Sequence, residues 1–327
     1  MTKIDIYSGF LGAGKTTLIK KMIEEAYCGQ KLVLIENEFG EIGIDGGFLQ
    51  DAGINITEMN SGCICCSLVG DFGKALTEVI EKYHPDRVII EPSGVGKLSD
   101  VIGAVNKVTT DEVTLGYTVA VADAGKVKVY MKNFGEFYNN QIETASTIIL
   151  SRTDSVPQAK LDASVALIRE HNEQATLITT PWSELTGEQL IAAMEGKASL
   201  AEELAKMEME RLAAEEHHHD HDGHCSCGHD HHDHHADEVF TSWGVETTRK
   251  FTVEEIEDIL GQFTSGIFGA VLRAKGIVEG QDGKWIHFDY VPGEENVRLG
   301  APSTMGRLCV IGSKIDTAAV AALFGVK

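Results

Sequence analysis

The sequence predicts an α/β protein, with a mostly parallel sheet covered by helices on both faces, followed by a smaller α+β domain. Three observations point there. Strand and helix patterns alternate over the first two hundred residues, as they do when helices form the crossovers of a parallel sheet. From 199 to 237 the composition changes abruptly to an acidic run and then a histidine-rich tract. Beyond it strands outnumber helices, and turns such as Gln281-Asp282-Gly283 are short, which fits antiparallel pairing. The expected organisation is a first domain of 1–198, a linker of 199–237 and a second domain of 238–327.

In the first domain, Ile4 and Ile6 mark an opening strand that runs into a glycine-rich turn and a helix beginning near Lys15. Apolar runs predict buried strands at 31–36 (KLVLIE), 87–91 (RVIIE), 114–122 and 146–150, with shorter ones at 55–59 and 175–179. Helical patterns fall between them at 68–83, 98–107, 134–144, 158–171 and 184–195. In the second domain strands are expected at 239–247, 268–277, 285–290, 296–299 and 307–311, with helices at 253–262 and 317–324.

Composition narrows the function. A hydrophobic fraction of 43% with no apolar run near the ~20 residues of a membrane span excludes a transmembrane helix. Met1-Thr2-Lys3 enters a strand without the apolar stretch of a secretion signal. The expected location is cytoplasmic, with the seven cysteines mostly reduced. A net charge of -22 argues against nucleic acid as a partner. Much of that charge is local, since Ala201–Glu238 holds twelve carboxylates against Lys206 and Arg211.

Gly9 to Thr16 matches GxxxxGK[ST], the loop that cradles phosphates. Gly9, Gly12 and Gly14, with Ala13 between them, let successive backbone N–H groups surround phosphate oxygens. The helix starting at Lys15, Thr16 and Thr17 presents its positive end to the same anion. Lys15 is placed to reach the β- and γ-phosphates, and the Thr16 hydroxyl to ligate Mg²⁺. Such a site also needs an acidic residue closing a neighbouring strand. Glu91 and Asp123 are both candidates, and Gly94, just after Glu91, is placed to offer its N–H to a γ-phosphate. Base choice falls to Ser151-Arg152-Thr153-Asp154 after the strand at 146–150. A carboxylate at Asp154 accepts the paired N1–H and amino protons of guanine, which adenine lacks, so GTP is the expected nucleotide.

Two further stretches point to metal. Cys63, Cys65 and Cys66 place three thiols within four residues, a set that favours Zn²⁺ or another thiophilic ion, redox chemistry being the alternative. A fourth local ligand is missing, which suits a site that passes its metal onward. Ten of the thirteen histidines, 217, 218, 219, 221, 224, 229, 231, 232, 234 and 235, interleave with Cys225 and Cys227 in the linker. That tract (His217, His218, His219, His221, His224, His229, His231, His232, His234 and His235) suits Zn²⁺, Ni²⁺, Co²⁺ and Cu²⁺ alike.

Together these stretches resemble the CobW family of P-loop GTPases, putting the chain near the urease and hydrogenase nickel-insertion GTPases. The likeness rests on GFLGAGKTT at 9–17, ENEFGEIGID at 36–45, GCICC at 62–66, Glu91–Gly94 and QIETASTIILSRTD at 141–154, and in the second domain on LRAKGI at 272–277 and Val310-Ile311-Gly312. The resemblance implies a Mg²⁺-dependent GTPase acting as a metal chaperone. Its cargo would be zinc first, with cobalt and nickel as alternatives, held at Cys63, Cys65 and Cys66. It implies a switch loop holding Glu38, Glu41 and Asp45, with Glu38 or Glu41 touching metal. The expected partner is a client metalloprotein, and the expected state a monomer or a nucleotide-dependent homodimer.

Two departures stand out. The family's guanine motif is commonly Asn-Lys-x-Asp, and here Ser151 and Arg152 replace the first two. Ser151 is too short for the asparagine's contact, while Arg152 can lay its stem and flat head along the base. After Glu91 the chain reads Pro92-Ser93-Gly94-Val95-Gly96-Lys97 where the family often reads Thr-Thr-Gly. The other functional classes are a metal buffer with a vestigial nucleotide site and a P-loop phosphotransferase.

Overall fold

The computed structural model describes residues 1–36, 56–60, 69–196 and 241–326. The chain divides into two compact units, Met1–Gly196 and Lys197–Lys327.

The first unit is a seven-stranded parallel sheet in the order β3-β2-β4-β1-β5-β6-β7. Its strands are β1 (Thr2–Gly9), β2 (Leu32–Glu36), β3 (Ile56–Asn60), β4 (Arg87–Glu91), β5 (Val113–Asp123), β6 (Thr147–Ser151) and β7 (Thr176–Ile178). The helices are α1 (Lys15–Glu25), α2 (Val69–Tyr83), α3 (Leu98–Asn106), α4 (Val127–Thr144), α5 (Gln158–His171) and α6 (Gly187–Met194). Both faces of the sheet are buried. On one, Tyr7, Leu34, Ile89, Val121, Ile149 and Ile178 meet Leu18, Met22 and Ile23 of α1 and Leu190 of α6. On the other, Ile4, Ile6, Val88, Ile90, Ala120, Ile148 and Leu150 are equally inaccessible. Burial of both strand faces is why these segments read as unbroken apolar runs.

The sequence reading differs in detail. Helix α4 starts at Val127, seven residues before the predicted 134. Its first part is rich in β-branched and aromatic residues, which weaken the local helical signal. The backbone at Phe134, just before Gly135, leaves helical values (φ -132, ψ 26), so the predicted start is in fact a kink inside one longer helix. At the other end, Trp182–Glu184 forms a separate turn of 3-10 helix, and α6 begins at Gly187 with Thr186 as a reciprocal cap.

A buried polar cluster lies on the α1 face. Asp5 is fully buried and forms an ion pair with Arg87. It also accepts hydrogen bonds from Tyr27 Oη (3.1 Å) and the Tyr117 N–H (2.9 Å). Tyr27 in turn shares a 2.6 Å hydrogen bond with Tyr7, and the Arg87 guanidinium lies 4.4 Å from the Tyr27 ring centre. Burial pushes the Asp5 carboxyl up while Arg87 pulls it down, and burial pushes Tyr117 up to about 12. Register between β1 and β5 shifts between Ile4 and Ile6, where this cluster sits.

The second unit is a five-stranded antiparallel sheet in the order β11-β10-β9-β12-β8. Its strands are β8 (Thr241–Thr247), β9 (Ala270–Glu279), β10 (Trp285–Val291), β11 (Glu294–Gly300) and β12 (Gly306–Ser313), with helices α7 (Val253–Gln262) and α8 (Thr317–Phe324). Thr252 and Asp316 cap the two helices through the N–H groups of Glu255 and Ala319. Phe324 is the hub of the core, within 6.5 Å of the rings of Trp243, Phe251, Phe263 and Phe288.

Candidate nucleotide site

β1 delivers the chain to the sheet's carboxyl edge, and the loop from Gly9 to Gly14 turns it back into α1. Gly9 has φ +145, and a methyl group there would stand 2.3 Å from the Val121 carbonyl oxygen, so only glycine fits. Gly12 and Gly14 also take positive φ. Ala13 and Lys15 are buried, Thr16 is half-buried and Thr17 is exposed.

Of the two acidic candidates, the structure puts Glu91 beside the loop. The Thr16 hydroxyl lies 3.0 and 3.1 Å from the two Glu91 carboxylate oxygens, and Lys15 Nζ is 3.8 Å from Oε1. Thus Lys15, Thr16 and Glu91 form one cluster between β1 and its neighbour β4. Asp123 is engaged elsewhere. It accepts the Gly125 N–H at 2.9 Å and pairs with Arg152 at 2.7 Å, with Lys126 Nζ at 3.7 Å.

Gly94 is buried against the loop, where an added methyl would meet the Leu11 backbone nitrogen at 2.8 Å. Gln141 of α4, for which the sequence reading named no role, fixes the same segment. Its amide donates to the carbonyls of Gly94 (3.1 Å) and Gly96 (2.8 Å), and it is 1% exposed. Arg152, with φ 57, donates one guanidinium nitrogen to the Gly12 carbonyl (3.1 Å) and another to Asp123. The base loop is thereby tied to the phosphate loop. Asp154 lies exposed in the turn Thr153–Ser155, accepting from the Ser155 hydroxyl at 3.2 Å. Trp182, in the 3-10 turn after β7, comes within 3.0 Å of a methyl built on Gly14, a neighbour the sequence reading did not foresee. Its signal in the sequence was an aromatic residue where the chain leaves β7.

Strand register brings other predicted segments into line. Glu36 at the end of β2 pairs with Glu91 on one side and with Asn60, the end of β3, on the other. Glu38 and the cysteines Cys63, Cys65 and Cys66 follow those ends in sequence but lie outside the described residues. So do the linker histidines 217 to 235 with Cys225 and Cys227. Among the described residues no three histidine, cysteine or acidic side chains form a metal-binding group. Among them, too, no helix is long and apolar enough to cross a membrane.

A parallel sheet, a glycine loop opening a helix, and a lysine and threonine facing a strand-end carboxylate define a P-loop nucleotide-binding protein. Comparison with known families goes further. Residues 3–179 match the CobW/HypB/UreG nucleotide-binding domain, and residues 240–326 match the cobalamin synthesis protein cobW C-terminal domain. The chain belongs to the CobW/HypB/UreG family.

Among curated relatives, it is 32% identical over 246 residues to the zinc chaperone CobW of a Sinorhizobium species, covering 66% of this chain and 69% of that protein. It is 30% identical over 190 residues to the zinc chaperone YjiA of Escherichia coli, covering 56% and 58%. A match to the zinc chaperone YeiR of the same organism takes in 47% of each chain, at 30% identity over 155 residues. The chain thus spans about half the length of several of these relatives. The crystal structure of Zn(II)-bound YjiA GTPase from E. coli aligns over 100% of this chain and 99% of its own, with 20% identity and a TM-score of 0.44.

Proposed function

We propose that this protein is a GTP-hydrolysing metal chaperone. In this reading it takes up a transition metal, zinc first and cobalt or nickel as alternatives, at Cys63, Cys65 and Cys66 and passes it to a client metalloprotein. The observation that carries the nucleotide half is the convergence of Lys15 and Thr16 on Glu91. The names of the relatives, zinc chaperones of Sinorhizobium and E. coli, support the metal half.

GTP is the substrate, split by water into GDP and phosphate. Backbone N–H groups of 9–14 wrap its phosphates, Lys15 neutralises the β- and γ-phosphate charge, and Gly94 turns its N–H toward the γ-phosphate. The Thr16 hydroxyl and the Glu91 carboxylate form an oxygen donor set suited to Mg²⁺. When bound, Mg²⁺ would offset charge on the phosphates. Asp154 selects guanine, and Arg152 supports the base while holding its loop on Gly12.

Coupling to metal follows from the strand ends. Glu91, Glu36 and Asn60 stand in register on three adjacent strands, so Asn60 is two strand spacings, about 10 Å, from Glu91. Cys63 is three residues beyond Asn60, and Glu38 two beyond Glu36. A γ-phosphate that reorders the segment after Glu91 would act beside the strand ends that lead on in sequence to Glu38 and Cys63, which is how nucleotide state would alter metal affinity. The linker histidines load the thiolates.

The test is GTP turnover with Mg²⁺, and zinc bound per chain, in the full-length protein, in Lys15→Ala and in a variant with Cys63, Cys65 and Cys66 changed to serine. Lys15→Ala should abolish turnover and keep zinc, and the thiol variant should lose zinc from the cysteine site. Zinc binding without any Lys15-dependent turnover would instead make the protein a metal buffer, and phosphate transfer to an acceptor other than water a phosphotransferase.

A further inference from the structure

We propose that Trp182 is a nucleotide-contacting residue whose indole forms the stacking wall of the purine pocket, compensating for Ser151. This rests on the reading of 9–16 as a nucleotide site. The strands β1, β5, β6 and β7 are neighbours and parallel. The phosphate loop, the base loop and the turn after β7 therefore all leave the sheet at one edge. Within that edge the indole stands against the loop. A methyl group built on Gly14 would lie 3.0 Å from Trp182 Cη2, 3.4 Å from Cζ2 and 3.9 Å from Ser151 Cβ. The indole and Ser151, the first residue of the base loop, thus both border Gly14, the last residue of the phosphate loop before Lys15.

Ser151 is drawn back from this space, its hydroxyl 3.5 Å from the Ala122 carbonyl. Trp182 stands on the same glycine as this short side chain. The indole has two environments, packing against the α1-side core yet remaining partly exposed beside the loop. An aromatic ring held by a core on one side and open at a ligand edge on the other is suited to receive a base. Arg152 borders the same opening, fixed to Gly12 and Asp123, so the purine would lie between an indole and a guanidinium. Every base has a π-face, so such a wall adds affinity without selecting guanine. Selection stays with Asp154.

The experiment uses the full chain with GDP, IDP and ADP as probes. Binding is measured by equilibrium dialysis with Mg²⁺, in the parent and in Trp182→Ala, Trp182→Phe, Asp154→Ala and Lys15→Ala. The expected result is that Trp182→Ala weakens GDP and IDP alike by about tenfold or more, the usual size of a lost base–aromatic stack. Trp182→Phe should restore most of it, and only Asp154→Ala should change the preference over ADP. The parent has three tryptophans, and GDP should change its emission in a way that Trp182→Phe abolishes. GDP binding that needs Lys15 but leaves emission unchanged, or that Trp182→Ala alters by less than twofold, would overturn the role of Trp182 alone. Absence of Lys15-dependent binding in the parent would overturn the nucleotide site as well. Should Trp182→Ala fail to fold, the emission change and Trp182→Phe still decide.

Discussion

Replacing Arg87 by methionine removes the cation from a fully buried carboxylate. Asp5 would keep only the Tyr27 hydroxyl at 3.1 Å and the Tyr117 N–H at 2.9 Å. Methionine replaces most of the aliphatic stem, so what is lost is the charge, its place 4.4 Å from the Tyr27 ring centre and the Nε–H donated to Gln30 at 3.1 Å. Removing one partner of a buried ion pair costs about 3–5 kcal/mol, a large share of a domain's total stability.

The pH dependence has a definite sign. Burial already pushes the Asp5 carboxyl above its ordinary range, with Arg87 holding it back. Without Arg87 it rises further, so the folded chain keeps a proton that the unfolded chain releases. Stability of the variant therefore falls as pH rises through the window between the ordinary and raised values. Its deficit relative to the parent grows only between the parent's folded value and the variant's higher one, so it should be smaller at pH ~5 than at pH ~8, by about 1.4 kcal/mol for each unit of that interval falling between the two pH values. Asparagine at position 5 still accepts the Tyr117 N–H and needs no counter-charge, so Asp5→Asn with Arg87→Met should recover most of the loss. Urea unfolding followed by circular dichroism at the two pH values measures all three. A deficit for Arg87→Met below about 1 kcal/mol, or a double variant as weak as the sum of its parts, would refute the reasoning.

Three further outcomes are expected. Glu91→Gln keeps the shape but loses the charge facing Lys15 and Thr16, and GTP turnover should fall by about a hundredfold with GDP affinity within a few-fold. Gly94→Ala places a methyl 2.8 Å from the Leu11 nitrogen. The segment must move, and single-turnover GTP hydrolysis should slow by about ten- to a hundredfold. Burial pushes the Cys309 thiol up to about 11, so iodoacetamide labelling and peptide mapping near neutral pH should leave Cys309 unmodified while exposed Cys28 reacts. Above pH ~9 the unfolded chain releases that proton and the folded chain keeps it. Stability should therefore drop by about 2 kcal/mol up to pH ~11, and Cys309→Ala should remove that part of the slope.

The phosphate loop was legible because its physics is local. Gly9, Gly14, Lys15 and Thr16 lie within eight residues, and each residue type answers to one backbone or ligand requirement. The parallel sheet was legible because strands buried on both faces read as continuous apolar runs. What escaped depends on distance along the chain. Asp5 is satisfied by residues 22, 82 and 112 positions away, and nothing around Ile4-Asp5-Ile6 announces them. Gln141 reaches back 47 residues to Gly94. Trp182 meets Gly14 only once β1 and β7 stand in one sheet. The choice between Glu91 and Asp123 was likewise open in the sequence, since both close strands flanking β1, and only side-chain contacts separate them.

The proposed coupling wires a triphosphate site to a thiolate site through neighbouring strand ends. Its most direct measurement is the rate of GTP hydrolysis by the full-length protein as Zn²⁺ is added, compared with Cys65→Ala. The account predicts a rate that changes by about fivefold or more as the cysteine site fills, and a Cys65→Ala variant that turns over GTP at the metal-free rate throughout. Identical zinc responses in the two proteins, or a parent rate indifferent to zinc, would contradict it.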